Sequence, residues 1–232
     1  MEIGTAISGA FWLLLRGDAQ LLEVIWLSLQ VNLTAVAIST AIGLPLGAWL
    51  ATVRFRGRDG IITITNALMG LPPVVVGLAV YMMVSRAGPL GVFELLYSPA
   101  AMIIAQCILV IPIIIALTRQ GLERINADYT PLFVGLGVTA SGRVKTLLAD
   151  GWLDVLTAIF AGLGRAMAEV GAVMIVGGNI NHYTRVMTTS ITLETARGEL
   201  AYALALGIVL LTLTLLINGV GRWLARASLY TI

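Results

Sequence analysis

IWLSLQVNLTAVAISTAIGLPLGAWLATV, residues 25–53, carries no ionisable side chain between Glu23 and Arg54. A helix needs about 20 apolar residues to cross the hydrocarbon of a bilayer, and this run exceeds that. A helix of a soluble domain would show polar residues recurring on its water-facing side, and none with charge recurs here. Charge-free intervals of similar length lie between Asp59 and Arg86 and between Glu94 and Arg119, and a fourth, between Glu199 and Arg222, contains YALALGIVLLTLTLLINGV. Residues 152–178 form a fifth candidate, interrupted by Asp154 near its start and by Arg165 and Glu169 in its middle. The sequence therefore predicts an all-α integral membrane protein with five transmembrane helices, at about 24–53, 60–85, 97–118, 152–178 and 200–221. ISGAFWLLL, bounded by Glu2 and Arg16, is too short to cross and lacks the basic flank of a signal peptide, so residues 1–19 are expected as an external or interfacial segment ahead of one transmembrane domain, 20–232.

Composition agrees. Of 232 residues 59% are hydrophobic and 11% charged, against about 25% charged in soluble domains, and the mean hydropathy is +0.97. A net charge of +2, with basic residues in small groups between apolar runs, gives no nucleic-acid surface. The single cysteine, Cys107, lies in an apolar run and is expected as a small buried thiol. Arginine and lysine fall mainly in RFRGR (Arg54, Arg56, Arg58), in the long loop after the third span (Arg119, Arg124, Arg143, Lys145) and after the fifth (Arg222, Arg226). Short cytoplasmic loops carry that excess, which places the N-terminus outside and the C-terminus in the cytoplasm.

Three stretches carry more than hydropathy. In NALMGLPPVVVGLAVYMM the adjacent Pro72 and Pro73 each remove a backbone donor, leaving two readings open, a packing kink or a break lining a pathway. In GRAMAEVGAVMIVGGNI, residues 164–180, Arg165 and Glu169 stand four apart on one helical face among small residues. They are either an internal packing pair or part of a path, since ionisable groups at bilayer depth mark function by default. Met174, in the same run, is grouped with Pro72, Pro73, Arg165 and Glu169 as a candidate path or gate residue. In residues 118–155 the pattern predicts two short helices about a glycine-rich turn, with Leu132, Phe133, Leu136 and Val138 as an exposed apolar surface awaiting a protein partner. GVTASG, residues 137–142, imitates a phosphate loop, but Arg143 and Val144 intervene before Lys145-Thr146 and no strand precedes it. The sequence holds no HExxH or CxxC, and His182 is expected as a solvated side chain in an external loop. No catalytic or metal site is expected.

LGVTAS, residues 136–141, followed by GRAMAEVGAVMIVGGNI, resembles the inner-membrane permease subunit of type I ABC importers for oxyanions, the molybdate, sulfate and tungstate group. GGNINHYTRVMTTSITLETARGELAYALALG, residues 177–207, looks most like the tungstate permeases. The resemblance runs from about residue 20 onward and implies the MetI-like fold in a prokaryotic plasma (inner) membrane. It also implies a second copy of the chain, two cytoplasmic ABC ATPase subunits that hold the ATP and Mg, and an external oxyanion-binding protein. A cytoplasmic coupling loop at about 119–150 would meet the ATPases through Pro131, Leu132, Phe133, Leu136, Gly137, Val138, Ser141 and Arg143. Asn179, Asn181, Arg185, Thr188 and Thr189 would face the binding protein. This chain departs from the family pattern where Pro131-Leu132-Phe133 replaces Glu-Ala-Ala and Asp150-Gly151 replaces a later Leu-Pro. The rival class is an ATP-independent secondary transporter, which would show paired broken helices, and the Pro-Pro break has no visible counterpart in the sequence.

Overall fold

The computed structural model describes residues 3–229, and among them every regular element is helical. In order they are α1 (Ile3–Arg16), α2 (Ala19–Thr52), α3 (Arg58–Leu68), α4 (Pro73–Val84), α5 (Pro99–Gly135), α6 (Ala140–Asp150), α7 (Trp152–Met167), α8 (Gly171–Gly177), α9 (Met187–Arg197) and α10 (Leu200–Leu229). Three of them, α2, α5 and the Leu200–Gly221 part of α10, are long and apolar enough to cross a membrane alone; bent pairs raise the number to five.

Contacts fix the directions. Asn32 meets Gln106, Gly43 abuts Ile114 and Gly47 abuts Thr118, so α2 and α5 run parallel. Gly121 abuts Asp154 and Gly162 abuts Ile114, so α7 runs against α5. Phe160 on α7 packs on Gly221 of α10 while Leu163 and Met167 cluster with Leu210 and Leu213, which sets α10 parallel to α2 and α5. The beginning of α2 and the end of α10 therefore lie at opposite ends of the bundle, as an odd number of passages requires. The glycines at these crossings are needed because a side chain would collide: a Cβ on Gly47 would lie 2.8 Å from the Ile115 carbonyl oxygen. Cys107 is buried on α5 and donates to the Ala35 carbonyl at 3.6 Å.

Several expectations are corrected. The second passage is not a kinked helix: α3 and α4 meet at 100° across Met69–Pro72, with Pro73 in the first turn of α4, where its missing donor costs nothing. The Pro-Pro break has a counterpart after all, because the fourth passage also parts, between Met167 and Gly171. The third passage continues as helix far beyond residue 118, so that 119–135 of the expected loop belongs to α5. Arg119 and Glu123, paired at 2.5 Å four residues apart, support that extension, and Pro131 does not end it. The polar segment after Gly177 holds an unforeseen helix, α9, whose first turn is tied to α2 by the Met187 N–H donating to Ser28 Oγ at 2.7 Å. The opening segment is helical and rests on α10, with Ala10 buried among Leu21, Met187 and Leu206.

Candidate functional site

The two breaks lie side by side. A Cβ on Gly171 would meet the Val74 side chain at 2.9 Å, and one on Gly77 would meet Ala172 Cα at 2.8 Å and Ile175 Cβ at 3.3 Å. Residue numbers rise together, so α4 and α8 are parallel half-helices that begin next to each other inside the bundle. Neither contact survives a side chain on the glycine, since both are closer than van der Waals packing allows.

The ion pair spans the second break. Arg165 occupies the last turn of α7 and Glu169 stands just ahead of α8, with Arg165 Nη1 and Glu169 Oε2 2.5 Å apart. Each charge complements a helix end: a cation at the negative C-terminus of α7, a carboxylate at the positive N-terminus of α8. Glu169 Oε1 also accepts the Ala172 N–H at 3.0 Å, so it satisfies one of the orphan donors of α8. The pair is asymmetric, for the Glu169 side chain is 2% exposed and that of Arg165 27%. Thr188 Oγ1 donates to the Glu169 carbonyl at 2.8 Å, fastening α9 to the same break.

Gln106, which the sequence reading passed over, completes the arrangement. It is buried on α5 and its Nε2 donates to Asn32 Oδ1 of α2 at 3.0 Å and to the Ala166 carbonyl at the end of α7 at 3.1 Å. Three passages are thus joined at the level of the break. Its Oε1 lacks a hydrogen-bond partner among the described residues, and Gln106 lines, with Ser28, Asn32, Glu169 and Thr188, a small cavity of about 10 Å³, about the room one water needs. An amide inside IIAQCILV was the available signal, since polar groups in an apolar span are retained for a partner. Of the other candidate path residues, Pro72 is exposed, while Pro73 and Met174 are half-buried beside these breaks.

At the far end of α5 the chain turns through Gly137, whose φ of 61° is open to glycine, and Thr139 Oγ1 caps α6 by accepting the Gly142 N–H at 3.2 Å. Leu132, Leu136 and also Val134 are exposed there. Phe133 is not: at 3% exposure it belongs to a small core with Ala48, Ala51, Leu122 and Leu147, because α6 folds back over it. Val138 packs against that core, and Arg143 braces the turn with its guanidinium 5.6 Å from the Phe133 ring and Nε 3.3 Å from the Val138 carbonyl. Pro131 and Ser141 are exposed. The Asp150 carboxylate accepts the Tyr129 hydroxyl and, with its charge, holds that phenol above its ordinary pKa, a further tie between α5 and α6.

At the opposite end Asn181 is exposed and accepts from Gln20 Nε2 at 3.3 Å, and Asn179 and Arg185 are half-buried. Thr189 is fully buried, its Oγ1 accepting the Val186 N–H at 3.1 Å to start α9. It therefore cannot meet an external protein, and Thr188 turns inward to Glu169. His182 lies on the surface with Nδ1 2.7 Å from Glu23 Oε2.

Residues 43–229 match the family described as binding-protein-dependent transport system inner membrane component. The tungstate uptake system permease protein TupB of Peptoclostridium acidaminophilum is 38% identical over 218 residues, covering 94% of this chain and 96% of its own. A probable anion ABC transporter permease protein of Haloferax volcanii is 37% identical over 206 residues, covering 87% and 89%. Among solved structures, the MetNI methionine ABC transporter in inward-facing conformations aligns with a TM-score of 0.66 at 18% identity over 98% of this chain and 99% of that one, a likeness of fold. The chain belongs to the binding-protein-dependent transport system inner membrane component family, as a multi-pass ABC importer permease of the oxyanion group that is not itself an enzyme.

Proposed function

We propose that two copies of this chain form the path for a tetrahedral oxyanion, tungstate, driven by ATP hydrolysis on two partner ATPase subunits and supplied by an external binding protein. The observation that carries the substrate is the 38% identity, over nearly the full length of both chains, to a permease named for tungstate uptake. The N-terminus is outside and the C-terminus cytoplasmic, on the arginine distribution. ATPase closure acts on the exposed Pro131, Leu132, Leu136 and Ser141 about the Gly137 turn. Phe133, Val138 and Arg143 hold that turn to α6 rather than touching the partner. Motion passes along α5 and α7 to the paired breaks. There the Arg165 guanidinium, a quarter exposed beside a sealed carboxylate, supplies positive potential for an anion crossing a region of low dielectric, and Pro72, Pro73 and Met174 flank it. Asn179, Asn181 and Arg185 form the external docking face.

The test is uptake in proteoliposomes holding permease, ATPase and binding protein. ATP-dependent accumulation of labelled tungstate, resisting competition by molybdate and sulfate at equal concentration, is expected. Preferential uptake of either competitor would reassign the substrate, and uptake without the ATPase would overturn the mechanism.

A further inference from the structure

The outward face of α2 ends in a graded sequence of chemistries. Ile38, Ile42, Leu46 and Trp49 are all exposed and recur at helical spacing, so they make one apolar stripe along a helix able to span a bilayer. Where the stripe ends, the Trp49 and Phe55 rings stack with centroids 4.8 Å apart. Arg54 and Arg56, both exposed, flank Phe55 in sequence. The arginine beyond them is already engaged: Arg58 Nη2 lies 2.6 Å from Glu123 Oε1 and its Nε donates to the Leu50 carbonyl at 2.9 Å, while Arg119 shares the same Glu123. Glu123 and Asp59 are thus taken by Arg58 and Arg119, and Arg54 and Arg56 have no carboxylate partner among the described residues.

We infer that this corner binds the headgroup of an anionic phospholipid, with the acyl chains along the Ile38–Trp49 stripe, the stacked rings at the glycerol level and the guanidiniums of Arg54 and Arg56 on the phosphate. The order from apolar to aromatic to cationic is the order a lipid presents from tail to headgroup. Guanidinium suits phosphate because its fork of donors matches paired oxygens. A free anion would satisfy the arginines alone and leave the stripe and rings without a role. The inference rests on the membrane-spanning reading of α2 and on neither the substrate nor the sidedness proposed above.

The test takes the permease purified with its ATPase, in nanodiscs of phosphatidylcholine with or without phosphatidylglycerol, and follows lipid titrations by native mass spectrometry. The unmodified protein should retain phosphatidylglycerol in preference to phosphatidylcholine, and Arg54→Gln with Arg56→Gln should weaken that retention about thirty-fold. Arg124→Gln, which removes an exposed arginine elsewhere on the same end, should change it little. Glycerol phosphate or tungstate added at the lipid's concentration should not displace it. Equal retention by the double variant, an equal loss in Arg124→Gln, or displacement by either free anion would overturn the inference. Loss of the ATPase from the double variant in every lipid mixture would do so too, by showing that the corner is a protein contact.

Discussion

Neutralising the ion pair in two ways separates its roles. Arg165→Met alone leaves the Glu169 carboxylate, 2% exposed, with one hydrogen bond from Ala172, and Glu169→Leu alone leaves a guanidinium unpaired. Breaking a buried pair by removing one partner costs about 3–5 kcal/mol, with Arg165→Met at the higher end because the orphan it leaves is the more deeply buried. Glu169→Leu is moderated because the Arg165 side chain is only partly buried, at 27% exposure. Arg165→Met with Glu169→Gln removes both charges yet keeps an oxygen for the Ala172 N–H, and should regain most of the loss. Arg165→Met with Glu169→Leu also strips the start of α8, and should remain about 1 kcal/mol less stable than the Met–Gln pair, the worth of a helix cap. Thermal unfolding of the detergent-purified complex measures the ranking, and uptake in proteoliposomes measures transport. Equal stability of the two double variants would refute the capping role of Glu169. A Met–Gln protein that is stable but inactive supports Arg165 in the path, whereas one that transports at the unmodified rate leaves the pair a packing device.

Gly77→Ala should force α4 and α8 apart, because its Cβ would lie 2.8 Å from a backbone carbon. A loss of about 1–3 kcal/mol is expected by thermal unfolding, and an unchanged melting point would contradict the backbone-to-backbone contact. Gly137→Val should leave insertion intact but abolish stimulation of the ATPase by the binding protein, while Gly137→Asn, which tolerates φ near 61°, should retain it. Since nothing lies within 4 Å of a Cβ there, equal behaviour of the two variants would show that backbone strain is not the issue. With Cys107 replaced, Gly57→Cys and Ser141→Cys should resist an impermeant thiol reagent in right-side-out vesicles while Val92→Cys and Asn181→Cys react; the reverse pattern would invert the proposed orientation.

Hydropathy made the passages legible because charge is excluded from hydrocarbon over a fixed length, and Pro72-Pro73 announced one break because proline lacks a donor. The second break carried no such mark. Ala168, Glu169 and Val170 are compatible with a continuous helix, and only the Glu169 carboxylate turning onto Ala172 and Thr188 reaching its carbonyl reveal why the chain parts there. Phe133 and Thr189 were misplaced for a related reason. A hydrophobic residue in a loop and a polar one in an external segment suggest surface, but α6 folds over Phe133, and Thr189 is spent inside the first turn of α9, where its buried Oγ1 takes the Val186 N–H. The Gly137 turn was readable because its requirement is local to one residue.

The unbroken length of α5 has a mechanical consequence. Its 37 residues extend about 55 Å at 1.5 Å per residue, so one lever arm joins the Tyr97 corner, where the chain bonds to the Val176 carbonyl at 2.9 Å, to the Phe133 core beneath α6. Pivoted at one end, such an arm carries its other end about 5 Å for a tilt of about 5°. The same tilt moves Ile114 and Thr118 by only about 2 Å, so α2, locked to them at Gly43 and Gly47, travels with the arm, while at the Gly137 turn the stroke approaches a full helical turn.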